Sequence, residues 1–388
     1  MDLDQIIEKL ELKQERLFHN LPLKKRLIFK NIFPINNRGI LYYGPRGVGK
    51  TTFLLMKSKD KNMLYISGDD PIISQISIYE LSERAFLNGY SGVIVDEVHY
   101  INNWGMQIKA LYDSFPNREI WISDSSGIVL KKGLADLSRR FIKVRIPLLS
   151  FREYIHLKEG IEYETLDDPF EKDKNRLFSI ANEINVLKLF REYIESGTRP
   201  FFLEGHFEEK MINILEKTIY SDIPFFLSTV NENHLRLIKS VVGYLLVSKI
   251  PTINVEGMCK KFSVGKNKLY ELLNVMDEID LINVIHKEKD FSVYSKGKKI
   301  FLADPSYYYI FNGETGNARE AYVVFTLREK AEVFASKNEE EGDFIWRGIK
   351  IEVGGKSKKA KKADFVVSDN LDIPYKNKVP LWGLGFLW

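Results

Sequence analysis

The sequence predicts an α/β fold whose first part is a parallel five-stranded sheet with helices on both faces. Three observations predict it. A short apolar run, Ile40 to Tyr43, leads into a glycine-rich turn and then into the helix-like Phe53-Leu-Leu-Met56. A second apolar run, Gly92-Val-Ile-Val, ends in the adjacent carboxylates Asp96 and Glu97. Three more apolar segments, Met63 to Ser67, Glu119 to Ser123 and Lys143 to Pro147, alternate with helical stretches. That alternation is the pattern of parallel strands joined by crossover helices.

The glycine turn reads Gly44-Pro45-Arg46-Gly47-Val48-Gly49-Lys50-Thr51-Thr52. Its spacing fits G-x-x-x-x-G-K-[ST], the phosphate-binding loop, or P-loop, and all nine residues are candidates for nucleotide contact. Glycines let backbone N–H groups curl round phosphate oxygens, and the following helix turns its positive end toward the same anion. Lys50 is expected on the β and γ phosphates of ATP, and the Thr51 hydroxyl on Mg²⁺.

Hydrolysis needs a second metal contact and a group that orients water. Asp96, at a strand tip, is expected beside Mg²⁺, and Glu97 is expected to polarise the attacking water. Neighbouring residues on a strand point to opposite sides, which predicts separate tasks for the two. Ser123, which heads the run Ser123-Asp124-Ser125-Ser126, is the candidate γ-phosphate sensor, although hydroxyls after a strand also serve as turn and cap residues. Arg139 and Arg140 follow, and in a ring of subunits either could reach a neighbour's γ-phosphate; solvated arginines are the plainer reading.

From His234 the pattern changes. An apolar helix through Leu235 to Val247 precedes Val255 to Phe262, a break at Ser263, and a helix beginning near Lys266. Strand-like segments follow at Ile282–His286, Phe291–Tyr294 and Lys299–Leu302, and the whole reads as a winged helix. Lys266, Asn267 and Lys268 lie in the first turn of the second helix, and Lys296, Lys298 and Lys299 at the wing, as candidate DNA contacts. Winged helices also act as protein-packing modules. Between the two regions, Lys158 to Arg176 is rich in charge and short of apolar periodicity, which predicts a solvated connection.

The order Gly-Pro-Arg-Gly-Val-Gly-Lys-Thr, Val-Asp-Glu-Val-His-Tyr-Ile-Asn-Asn-Trp104, Ser123 to Ser126 and Pro147-Leu-Leu-Ser-Phe-Arg-Glu-Tyr154 resembles the archaeal and bacterial AAA+-type ATPases that carry a nuclease-like C-terminal domain. The family usually reads Thr-Gly-Ser-Ser where this chain has Ser123-Asp124-Ser125-Ser126, and Gly-Arg where Arg139-Arg140 stand, which favours Arg140 as the finger. The resemblance implies a parallel five-stranded P-loop (AAA+/ASCE) core at 1–157, a helical lid at 158–230, a winged helix at 231–310 and an α/β PD-(D/E)XK nuclease-like domain at 311–388. Gly197-Thr-Arg-Pro200 resembles the Gly-x-Pro turn of such lids with one residue more, which makes Arg199 a candidate phosphate contact.

In the last segment a helix near Glu320 and acid-tipped strands at Asp343–Trp346 and Ile349–Val353 match the order of that nuclease core. The comparison implies Glu320, Asp343, Glu352 and Lys356 as its site, with Mg²⁺ on the carboxylates. Lys356 follows Glu352 by four residues where the family pattern has two. The chain ends in the apolar Leu381-Trp-Gly-Leu-Gly-Phe-Leu-Trp388, which is expected to pack on the domain or on a neighbouring subunit.

Composition narrows the rest. Lys and Arg number 57 against 53 Asp and Glu, so a net charge of +4 names no polyanion partner by itself. The single cysteine, Cys259, and six histidines offer neither a disulfide nor a zinc cluster. An acidic start and the lack of a long apolar run predict a cytoplasmic protein without a membrane span. The function expected is Mg²⁺-dependent ATP hydrolysis coupled to binding and remodelling of duplex or branched DNA by a homo-oligomer, for which a ring is one form. The alternatives are a nucleotide-gated switch acting through a protein partner and an ATP-regulated, metal-dependent nuclease.

Overall fold

The computed structural model describes residues 2–32, 37–125, 137–227, 229–249, 251–252, 254–288, 298–355, 357–360 and 362–388. The chain divides into two compact units, Met1–Pro147 and Leu148–Trp388.

The first unit is built on strands β1 (Gly39–Tyr43), β2 (Met63–Ser67), β3 (Gly92–Asp96), β4 (Glu119–Asp124) and β5 (Ile142–Arg145). They form one sheet in the order β2-β3-β4-β1-β5, and every pairing is parallel. All five expected strands are present. Every residue of β2 and β3 is buried, so both alternating sets of side chains are covered and both faces of the sheet are packed. Register aligns the strand tips, with Ser67 beside Asp96 and Tyr43 beside Asp124. The helix Leu3–His19 buries Ile6, Ile7 and Leu10, and its Gln14 closes on β2 by donating to the Met63 carbonyl at 2.9 Å and accepting from the Tyr65 N–H at 2.8 Å.

The second unit opens with the helix Phe151–Glu159, started by a capping box between Ser150 and Glu153. Helices Lys174–Glu183, Val186–Ser196 and Phe207–Lys217 follow. The solvated connection expected at 158–176 is not what forms. Leu166 and Phe170 are fully buried, and the Phe170 ring lies 5.8 Å from Trp346 and 5.4 Å from Phe365, so two apolar residues among charges anchor the segment to the C-terminal sheet. The region expected as a lid shares this unit with everything that follows it, and the division falls at Pro147, before the expected boundary at 157.

Helices Glu232–Val247, Val255–Phe262 and Lys266–Glu278 come next, with β6 (Ile282–Ile285) and β7 (Lys299–Leu302) pairing antiparallel. The strand expected at Phe291–Tyr294 and the candidate contact Lys296 lie outside the described residues. The helix Thr315–Arg328 then packs on a mixed sheet of β8 (Val333–Ala335), β9 (Phe344–Trp346), β10 (Ile349–Gly354), β11 (Phe365–Ser368) and β12 (Lys378–Pro380), ordered β12-β11-β10-β9-β8. β10 runs antiparallel to β9 and parallel to β11. The apolar chain end packs as expected, within its own unit: the Phe386 carbonyl accepts from the Leu166 N–H at 2.8 Å and the Trp388 carbonyl from Arg152 Nε at 2.9 Å. Among the described residues no helix is long and apolar enough to cross a membrane.

Candidate functional site

The site is assembled at the aligned tips of β1, β3 and β4. Past Tyr43 the backbone enters the loop through Gly44 at φ 153°, where a Cβ would lie 2.1 Å from the Ile146 carbonyl oxygen; only glycine fits. Gly49, at φ 92°, caps the helix Lys50–Ser58 in the left-handed conformation. Arg26 braces the loop from outside: its guanidinium, 3% exposed, donates to the carbonyls of Val48 at 2.9 Å and Pro147 at 2.8 Å. Nothing in the sequence marks Arg26, because its acceptors are backbone carbonyls 22 and 121 residues away.

Lys50 is buried at 6% exposure and donates to the Gly44 carbonyl at 2.9 Å and the Pro45 carbonyl at 3.2 Å. Burial pushes its pKa down, opposed by the charges of Glu97, Asp96 and Asp124. Thr51 Oγ1 donates to Asp96 Oδ2 at 2.6 Å, so the two expected metal ligands are already in contact. Two further hydroxyls and a backbone N–H join the shell of Asp96: Tyr65 donates to Oδ2 at 2.8 Å, and Ser123 and the Glu97 N–H, the latter at 3.0 Å, donate to Oδ1. Tyr65 was not foreseen, since one tyrosine in an apolar strand reads as core. Ser123 was foreseen as a phosphate sensor, and its hydroxyl engages the Asp96 carboxylate.

Glu97 stands just past the end of β3 in the left-handed region, φ 48° and ψ 52°. The strand alternation invoked to separate it from Asp96 therefore stops one residue early. Its carboxylate has its own partners: Oε1 lies 3.6 Å from Arg46 Nη1 and Oε2 lies 3.6 Å from His99 Nδ1. Burial raises the Glu97 pKa against the pull of Lys50 and Arg46. His99 and Asp124, also unforeseen, are both buried, with Nδ1 2.7 Å from Asp124 Oδ2.

Several other candidates are placed differently from expectation. Arg140 forms a two-pronged pair with Asp113 of its own chain, Nε to Oδ1 at 2.7 Å and Nη2 to Oδ2 at 2.9 Å, while Arg139 is exposed. Arg199 is 3% exposed and paired with the buried Asp304; a guanidinium closed off in this way is a structural cation, which corrects its reading as a lid contact to phosphate. Lys298 is 4% exposed, with Nζ 2.6 Å from His286 Nδ1, so it is not presented as a phosphate contact. Lys299 turns from the expected wing surface to two carboxylates, Glu320 Oε2 at 2.6 Å and Asp343 Oδ1 at 3.0 Å. Lys266 and Lys268 stay at the surface, paired with Glu256 at 3.2 Å and Glu271 at 2.9 Å, beside exposed Asn267.

The C-terminal carboxylates gather round lysines. Glu320 and Asp343 share Lys299, and Glu352, in β10, takes Lys358 at 2.8 Å. Asp343 Oδ2 also accepts from the Val353 N–H at 2.8 Å, which ties the acid before β9 to the strand that carries Glu352. Burial raises the pKa of Glu320 even beside Lys299. Lys356 lies outside the described residues; among the described residues Lys358 pairs with Glu352.

An AAA domain family model matches residues 36–155. An uncharacterised protein of Methanocaldococcus jannaschii is 30% identical over 299 residues, which is 69% of this chain and 61% of that protein. One of Haemophilus influenzae is 23% identical over 290 residues, 73% of this chain and 64% of that protein. The chain thus spans less than two thirds of the length of either relative. Among solved structures, a Walker-type ATPase of Pyrococcus abyssi aligns over 76% of this chain and 99% of its own at 13% identity and a TM-score of 0.39. RuvB of Thermotoga maritima aligns over 79% of this chain and 95% of its own at 14% identity and a TM-score of 0.27. Residues 36–155, which carry the five-stranded parallel sheet, its glycine loop and its acidic strand end, are thus similar to the nucleotide-binding domain of AAA-type ATPases.

Proposed function

We propose that the chain hydrolyses ATP with Mg²⁺ in its first unit and uses the energy to bind and remodel DNA, working as a homo-oligomer. One observation carries the ATPase reading: Thr51, Asp96, Tyr65 and Ser123 form a single hydrogen-bonded cluster at the sheet's C-terminal edge, next to a phosphate loop that holds Lys50. Thr51 and Asp96 offer adjacent hard oxygen donors, which fit Mg²⁺, and these two residues would hold it. Bound there, the ion would neutralise phosphate charge. Lys50 would bind the β and γ phosphates, and Glu97 would accept the proton of the attacking water.

The DNA reading rests on the order helix, helix, helix, hairpin over 232–302, read as a winged helix, with Lys266, Asn267 and Lys268 at the start of its second short helix. Their surface ion pairs are weak enough, at about 0–1 kcal/mol, for phosphate to replace the carboxylates. ATP turnover measured against single strands, duplexes and four-way junctions tests the coupling. Turnover indifferent to all three would end it.

A second reading, a metal-dependent nuclease in the last segment, is favoured by one arrangement: Glu320, Asp343 and Glu352 lie close enough to share charge with Lys358, on a helix and strands ordered as in such cores. Cleavage of labelled DNA with Mn²⁺ that is lost in Glu352→Ala and kept in Lys50→Ala would establish it. No cleavage of any substrate would remove it.

A further inference from the structure

Asp124 and His99 are both buried beside the acidic strand end. The Asp124 carboxylate, with no solvent exposure, accepts from the His99 backbone N–H at 3.2 Å and lies 2.7 Å from its ring Nδ1. A contact of that length to a carboxylate places the ring hydrogen on Nδ1. On the other side of the same nitrogen stands Glu97 Oε2, at 3.6 Å, beyond hydrogen-bond distance. That oxygen is buried and has no hydrogen-bond donor among the described residues. The ring is further held against Tyr100, with centroids 4.1 Å apart. Two carboxylates therefore face one N–H, and Asp124 holds it.

We infer that Asp124 is a positioning residue: by holding the Nδ1–H of His99 it keeps Glu97 Oε2 open to take the proton of the attacking water. The inference rests on the reading of Glu97 as the water-activating carboxylate. A carboxylate oxygen that accepts a hydrogen bond from imidazole has that lone pair occupied and is closed to the hydrogen of a water. Without Asp124, a shift of about 0.6 Å would bring Glu97 Oε2 to hydrogen-bond distance of Nδ1 and make it the acceptor. The three side chains place ligand atoms within 4.8 Å of one another, but a hydrogen on Nδ1 occupies the lone pair a metal would need, and Arg46 adds positive charge beside Glu97. On this tautomer the three side chains are a hydrogen-bonded Asp124–His99 pair beside Glu97 rather than a cation site.

The test compares ATP turnover of the wild-type chain, Asp124→Ala and the double variant Asp124→Ala/His99→Phe, with a melting temperature for each. In Asp124→Ala the freed N–H turns to Glu97, so kcat falls about tenfold or more while KM for ATP holds. Removing the imidazole as well takes away the competing donor, so the double variant recovers most of the loss. A residue needed only for structure would give a double variant worse than the single one, and that result, or an unchanged kcat in Asp124→Ala, overturns the inference. Tautomer-resolved ¹⁵N NMR of His99 in the wild-type chain is independent of variant folding: the Nδ1–H form is expected, and the Nε2–H form overturns the assignment. A wild-type chain without ATP turnover refutes the reading of Glu97 itself, whereas wild-type turnover that Asp124→Ala leaves untouched refutes only the role of Asp124.

Discussion

Replacing Arg199 by alanine separates two roles that a sequence motif alone confounds. Arg199 donates to Asp304 and, through Nη1, to Met211 Sδ at 2.9 Å, with both members of the ion pair 4% exposed or less in their side chains. Deleting one partner of such a pair leaves a buried charge uncompensated, at a cost of about 3–5 kcal/mol. Asp304 keeps other donors, Thr198 Oγ1 at 3.1 Å and Ser306 N–H at 2.9 Å and Oγ at 2.8 Å, which points to the lower end of that range. With an m-value of about 3 kcal/mol per molar urea, the unfolding midpoint falls by about 1 M. Arg199→Met with Asp304→Leu, which removes both charges and keeps much of the volume, recovers most of the loss. Affinity for a fluorescent ATP analogue stays within about twofold of wild type. The reasoning is refuted if Arg199→Ala keeps its urea midpoint and instead weakens nucleotide binding by about 10–100-fold, the loss expected for a charged hydrogen bond to phosphate.

Three further outcomes follow from the same geometry. Glu97→Gln retains nucleotide binding in equilibrium titration while single-turnover hydrolysis slows by about 10²–10⁴-fold, and Lys50→Ala loses binding itself; the reverse pattern would exchange their roles. Arg140→Ala lowers ATPase activity by about 10³-fold or more in mixed-subunit titrations if the guanidinium leaves its exposed pair with Asp113 for a neighbour's phosphate, and by less than about twofold if it stays there; the second outcome removes it as a finger. Asp4 is held well below the usual carboxylate range, at about 2, chiefly by its hydrogen bond from Arg84. Its native pKa is depressed, so the contribution of the pair is present above pH 3.8 and lost as pH falls toward 2. Arg84→Met flattens that acid-side slope in pH-dependent melting, and an unchanged slope would refute the assignment.

The parts of the fold written locally were legible in the chain. The phosphate loop is one contiguous segment whose spacing is its chemistry, and strands such as Val93–Asp96 announce their burial by an unbroken apolar run. What was not legible depends on residues brought together by topology. Tyr65 reaches Asp96 because β2 pairs with β3, and no pattern within β2 says so. His99 meets Asp124 across two strand ends. Phe170 is one aromatic ring in a charged stretch, without the repeat that marks a buried face, and only the C-terminal sheet gives it a partner. Lys298 and Lys299 misled for the opposite reason: a basic run looks solvent-facing until the carboxylates of Glu320 and Asp343, far along the chain, claim one of its members.

The Arg26 guanidinium turns two distant stretches of backbone into one mechanical part. By holding the Val48 and Pro147 carbonyls together where water is excluded, it makes the phosphate loop and the last residue of the first unit a single strut. A second tie, from the Ile146 N–H to the Tyr43 carbonyl at 2.7 Å, fixes the other end of the loop to the same segment. Within the first unit the loop and the segment 146–147 are therefore tied at both ends of the loop, so that a change at one of them is felt at the other.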